Sequence, residues 1–192
     1  MSEFVRSQPA VTWRYMMTTA MYYMMFDGDP AAGGNNAFAA DTIFAWPFTL
    51  PRKVTLDRIG AKPQLVGAGG LFRIGIYRDS GAYPAALVLD AGEMTTDAAT
   101  YKETTINTTL NPNILWGAFI KNTLASNFMS NIGTWHGPIV GAAAADPSTA
   151  YFIGYSKAQT YGALPDPFPS GAAGYAIGSP YLRILLRNSY VW

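Results

Sequence analysis

The chain has 192 residues, a formal net charge of +1, no cysteine and a single histidine. That length suits one sizeable core, alone or with an extended arm. The charge balance argues against nucleic acid as a partner, and the missing thiols exclude a disulfide scaffold and Cys-ligated zinc.

Charged residues are 13% and aromatics 14% of the chain, against about 25% charged in ordinary soluble domains. Between Asn122 and Leu182 only Asp146, Lys157 and Asp166 carry charge. Such a stretch is expected to be buried against neighbouring chains.

Residues 1–40 read as an extended N-terminal arm, closing in the turn "DGDP" (Asp27 to Pro30) and the loop "AAGGNN". Its apolar run, Met16 to Phe26, is too short to span a bilayer and contains Thr18 and Thr19. No basic segment precedes a continuous apolar stretch, so neither a secretory signal nor membrane insertion is expected.

Residues 41–192 read as a β-sandwich domain, because short strand patterns alternate with turn residues and no long helical period intervenes. Asp41 to Phe48 is the first strand, with Pro47 marking an edge or bulge. "VTLDRIGAKPQL" (Val54 to Leu65) alternates imperfectly, which predicts a bulge near Gly60. "GAGG" (Gly67 to Gly70) then supplies a turn where positive φ is cheap.

In Leu71 to Tyr77, Phe72, Ile74 and Ile76 share one face, predicted to be the core face. Gly75, on the other face, leaves room for something to pack across it. Further strands are predicted at Leu87 to Met94, Lys102 to Leu110, Ile114 to Leu124, Ala150 to Ser156, Tyr175 to Ser179 and Tyr181 to Leu186. The fold class is thus all-β: an antiparallel two-sheet sandwich of jelly-roll type with an N-terminal arm.

"FAWPFTLPRKVTLDRIGAKPQ", followed by "RIGIYRDSGAYPAALVLDAGEM", resembles β-sandwich modules of bacteriophage tail and appendage proteins. The shared pattern falls on Trp46 to Phe48, Thr55 to Gly60, Arg73 to Tyr77, Tyr83 to Pro84 and Leu87 to Gly92. "ILWGAF" looks like the family's later aromatic strand, with Asn113 where a Gly is usual. The likeness runs from about Ala40 to Tyr155 and extends to carbohydrate-binding sandwiches. It implies a virion structural protein: a tail-fibre, head-fibre or decoration subunit, assembled as a homotrimer with other virion proteins.

Catalysis finds little footing. His136 has no local signature of a nucleophile beside it, and no G-x-S-x-G is present. A glycosidase needs paired carboxylates, yet Asp79 is expected to cap a turn and Asp90 to meet Arg58 or Arg73 across the sheet. Asp27 and Asp29 lack the spaced acids of a calcium loop, so no metal or cofactor is expected.

Glycan recognition is the stronger option. Tyr77, Arg78, Asp79 and Tyr83 gather at one loop, with Trp135 and His136 on another. Aromatic faces stack on sugar rings while Asp and Arg bind hydroxyls. The competing reading is that these aromatics pack on loops or subunits.

Overall fold

A computed structural model describes residues 22–25, 33–131, 141–142, 151–176 and 179–189. Every regular element among them is a strand. In chain order these are β1 (Tyr22–Met24), β2 (Gly33–Ala37), β3 (Thr42–Leu50), β4 (Val54–Ala61), β5 (Pro63–Leu65), β6 (Leu71–Asp79), β7 (Pro84–Thr95) and β8 (Lys102–Leu110). They continue with β9 (Asn113–Lys121), β10 (Asn127–Asn131), β11 (Gly141–Ala142), β12 (Tyr151–Ala158), β13 (Ala173–Ala176), β14 (Tyr181–Leu182) and β15 (Leu185–Asn188).

The largest sheet runs β11-β12-β3-β9-β6-β7, with β13 also on β12; a second runs β1-β15-β4-β8; a small one runs β14-β10-β2, with β5 on β10. The pairings are antiparallel. The chain is therefore all-β, with antiparallel sheets packed over a shared core.

Alternation along the strands builds that core. Phe44, Trp46, Phe48 and Leu50 of β3 share it with Phe72, Ile74 and Ile76 of β6 and with Leu115 and Phe119 of β9. Val54, Leu56, Ile59 and Ala61 of β4 and Leu186 of β15 close it from the second sheet. Phe38 meets Phe44, Trp46 and Phe119 edge-on at 5.4–5.9 Å, the geometry aromatic quadrupoles favour.

The intervening residues of the large sheet are also apolar. Ile43 and Ala45 of β3, Tyr77 of β6, and Trp116, Ala118 and Ile120 of β9 form a second cluster on its outer face. Residues 159–172, between β12 and β13, lie over that face as a strap and contribute Leu164 and Phe168. The space predicted at Gly75 is taken by this strap: a Cβ there would fall 2.2 Å from Leu164 Cδ1 and 2.5 Å from the Leu89 carbonyl oxygen.

The predicted single strand Val54 to Leu65 is two strands, and its irregularity sits at Asp57 rather than Gly60. Leu56 pairs with Thr108 but Arg58 with Thr105, so the register slips there. The slip changes parity, letting Val54 and Leu56, then Ile59 and Ala61, all face the core. Gly60 serves a close approach instead: a Cβ would lie 2.2 Å from the Lys102 carbonyl. At "GAGG" the expected turn forms, with Gly69 at φ +69° and the Gly70 amide bonded to the Gly67 carbonyl at 2.8 Å.

Within residues 1–40, β1 pairs with β15 and β2 with β10. Met25 and Phe38 are buried. The turn from Asp27 to Pro30 lies outside the described residues.

One buried cation stands out. Lys121, at the end of β9, is 0% exposed; its ammonium donates to the Ser126 carbonyl and lies 5.9 Å from the Phe128 ring centroid. Burial alone lowers its pKa from 10.5 to about 8. The unfolded chain therefore holds this proton more tightly than the folded one. The penalty is complete below about pH 8 and fades as pH rises from about 8 to 10.5.

Against Lys121→Met, wild-type stability is thus expected to climb by on the order of 3 kcal/mol across that window. Urea unfolding of both proteins at stepped pH checks it. Comparison with the variant cancels the buried tyrosines, which titrate in the opposite sense above about pH 10. Parallel curves for the two proteins would contradict the assignment.

Candidate functional site

β6 and β7 are joined by the four residues Ser80 to Tyr83, a turn with Gly81 and Ala82 at its centre. The Ser80 amide bonds the Tyr83 carbonyl at 2.9 Å, and Gly81 and Ala82 have φ of +64° and +61°. Positive φ at both central positions matches the right-handed twist of the flanking strands. Gly81 adopts it freely; Ala82 does so against its own Cβ.

The hairpin brings Tyr77, Asp79 and Tyr83 to the outer face of the large sheet. Arg78 alternates to the opposite side and is exposed. Trp135 and His136 lie outside the described residues.

Tyr77 is 0% exposed. Its hydroxyl donates to the Pro165 carbonyl at 2.8 Å and its ring meets Phe168 at 5.3 Å and 90°. Burial first, then the charges of Asp90 and Asp166, push its pKa up. Tyr77 is a neutral anchor for the strap and offers no ring face to solvent.

Tyr83 is half-buried. Its hydroxyl donates to the Pro169 carbonyl at 2.7 Å and accepts the Ala172 amide at 3.1 Å. Its ring lies 4.7 Å from that of Tyr155 and 5.9 Å from that of Phe168.

Asp79 accepts the Trp116 indole N–H at 2.8 Å. The turn-capping role predicted for Asp79 goes instead to the backbone bond from Ser80 to Tyr83. Trp116 packs on Tyr155 at 5.6 Å between ring centroids. Tyr155 is half-buried, and its pKa is raised by burial first, then by Tyr83 and Asp79. Among the described residues its hydroxyl has no hydrogen-bond partner.

The corner is thus a carboxylate held by an indole, with two tyrosine rings beside it at the edge of the strap. Trp116, Tyr155 and Phe168 escape a reading of the sequence because they come from β9, β12 and the strap. The available signal was "LPDPFPSG" (Leu164 to Gly171), a proline-rich run with Asp166 as its one charge, of the kind that docks on aromatic surfaces.

The remaining acids are engaged separately. Asp90 takes Arg73 at 3.0 Å, as expected, and also the amides of Leu164 at 3.0 Å and Gly92 at 2.9 Å. Glu93 accepts the Tyr161 hydroxyl at 3.1 Å, and Asp97 pairs with Lys102. No group of three or more His, Asp or Glu among the described residues is placed to hold a metal ion.

No protein-family model matches the chain, and no curated protein does. Among solved structures it is similar to chitosan-binding module 1 derived from a chitosanase/glucanase of Paenibacillus sp.: 14% identity, TM-score 0.35, covering 59% of this chain and 92% of that one. At that score the likeness carries no weight for fold or function.

Tyr83→Phe keeps the ring and removes two hydrogen bonds to the strap. It is expected to destabilise the protein by about 1–3 kcal/mol, because the Pro169 carbonyl and the Ala172 amide lose their partner. Denaturant unfolding reads the loss, and hydrogen exchange should locate it at residues 165–172. Unchanged stability and exchange would mean that the strap is held by its apolar contacts alone.

Proposed function

We propose that this chain is a non-catalytic glycan-binding module on a sandwich of jelly-roll type, used to recognise a host surface. The supporting observation is the half-buried Tyr83–Tyr155 pair beside Asp79. A sugar ring has an apolar face and a hydroxyl-rich edge. The partly exposed Tyr155 would meet the first, and Asp79 with the Tyr155 hydroxyl would meet the second.

The acids of this face speak for binding over hydrolysis. Asp90 is occupied by a guanidinium and two amides, and Glu93 by a tyrosine hydroxyl. Neither sits opposite Asp79 in the strand register, where Pro84 pairs with it.

Binding to a panel of host-surface polysaccharides tests the reading. We expect Tyr155→Ala to weaken the interaction by about tenfold or more, roughly the worth of one stacked ring. A folded wild-type protein that binds no member of the panel would overturn it.

A virion appendage subunit assembled as a homotrimer is the second reading, and the two are compatible. The low charge of the chain supports it less than the sequence suggests, because part of that stretch is buried within the chain itself. Leu164, Phe168, Phe128, Ile153, Tyr181 and Leu182 are all buried there.

The observation that favours assembly lies beside β5 and in the segment between β9 and β10. Leu65, Val66 and Leu124 are 49%, 43% and 68% exposed. The two segments carrying them are joined by Asn127 pairing with Leu65 of β5 and by the Asn122 side-chain Nδ2 donating to the Gly69 carbonyl at 3.4 Å. Native mass spectrometry is expected to give trimers for the wild type and monomers for Leu124→Asp. A wild-type monomer at micromolar concentration would remove this reading.

A further inference from the structure

We propose that the Asp79–Tyr155 corner binds a positively charged group, and that the glycan it recognises carries a protonated amine. This rests on the glycan-binding reading and names the ligand class for that site.

The first argument is charge. Three described acids are neither fully buried nor fully exposed: Asp57, Asp79 and Asp90. Asp57 holds Arg187 through both oxygens, at 2.9 and 2.7 Å. Asp90 holds Arg73 at 3.0 Å. Among the described residues Asp79 has only the neutral Trp116 indole, at 2.8 Å. A partly buried carboxylate without a counter-charge can take a ligand ammonium in a charge-assisted hydrogen bond.

The second argument is the rings. Trp116, Tyr155 and Tyr83 form a chain with centroid spacings of 5.6 and 4.7 Å beside that carboxylate. Aromatic faces attract cations, and such rings next to an acid are the usual surroundings of a bound ammonium. The Tyr155 hydroxyl, unpartnered among the described residues, can accept a further N–H.

Competing cations are held elsewhere. Arg78 points to the opposite side of β6. Lys157, two residues beyond Tyr155 on β12, donates to the Gly171 carbonyl at 3.2 Å and does not touch Asp79. A neutral sugar would use the rings and leave the carboxylate without a counter-charge. An anionic sugar would add a second negative group beside it.

Isothermal titration with an oligomer of glucosamine and its N-acetylated counterpart, at a pH where the free amines are protonated, separates these cases. We expect the amine form to bind at least about tenfold more tightly, with the gap narrowing in salt. Asp79→Asn can still accept the Trp116 indole, so the fold should persist. That variant should lose the preference and bind the two oligomers with equal affinity.

Equal binding of both oligomers, untouched by Asp79→Asn, would overturn the charged-ligand proposal and leave glycan binding standing. Failure of both oligomers, together with the whole polysaccharide panel, would overturn glycan binding itself. Binding of oligolysine with the same Asp79 dependence, and of neither sugar, would overturn the sugar as carrier of the amine.

Discussion

The outer face of the large sheet carries Ile43, Ala45, Tyr77, Trp116, Ala118 and Ile120, and water has to be kept off it. A sheet whose second face is solvated alternates apolar and polar residues. β3 and β9 do not, because both of their faces are buried. The chain meets this requirement with its own residues 159–172. Leu164 and Phe168 fill the face, and the strap's exposed backbone polar groups find partners on β3, β6 and β7.

Those partners are mostly polar atoms of the sheet's own side chains. Asp41 accepts the Tyr161 amide and Asp90 the Leu164 amide, while Tyr77 and Tyr83 donate to proline carbonyls; in the reverse direction the strap's own Asp166 accepts the Leu87 amide of β7. Proline has no N–H, so Pro165 and Pro169 each leave only a carbonyl to satisfy. Two tyrosine hydroxyls answer those two carbonyls. This explains why a proline-rich sequence can lie flat on an aromatic surface without stranding buried polar groups.

How much of this was legible follows from range in sequence. Strands with local alternation could be read directly. Lys102 to Leu110 matches to the residue, and the inward set Phe72, Ile74 and Ile76 is the core set. The Arg73–Asp90 pair was also within reach, since β6 and β7 form a hairpin. Asn127–Asn131 was not, because its partners β2, β5 and β14 come from distant parts of the chain. The candidate site divides the same way. Asp79 and Tyr83 were visible in one loop, whereas Trp116 and Tyr155 join them only through strand pairing across β9, β3 and β12. Tyr77 shows the limit of composition: an aromatic at a loop edge can belong to a binding surface or to packing, and burial is what decides it.

The strap also determines where recognition can occur on this side of the protein. The centre of the outer face is filled by Leu164 against Gly75 and by Phe168 against Tyr77. A ligand of the proposed kind would therefore be confined to the margin, where the strap ends and Tyr83 and Tyr155 are partly exposed. Partial exposure suits recognition there. Full burial would make an unpaired carboxylate prohibitive, and full exposure would weaken its attraction for a ligand through screening. Asp79 lies between those limits. Trp116 fixes its orientation without neutralising it, so the charge remains at a margin where the partly exposed Tyr83 and Tyr155 also lie.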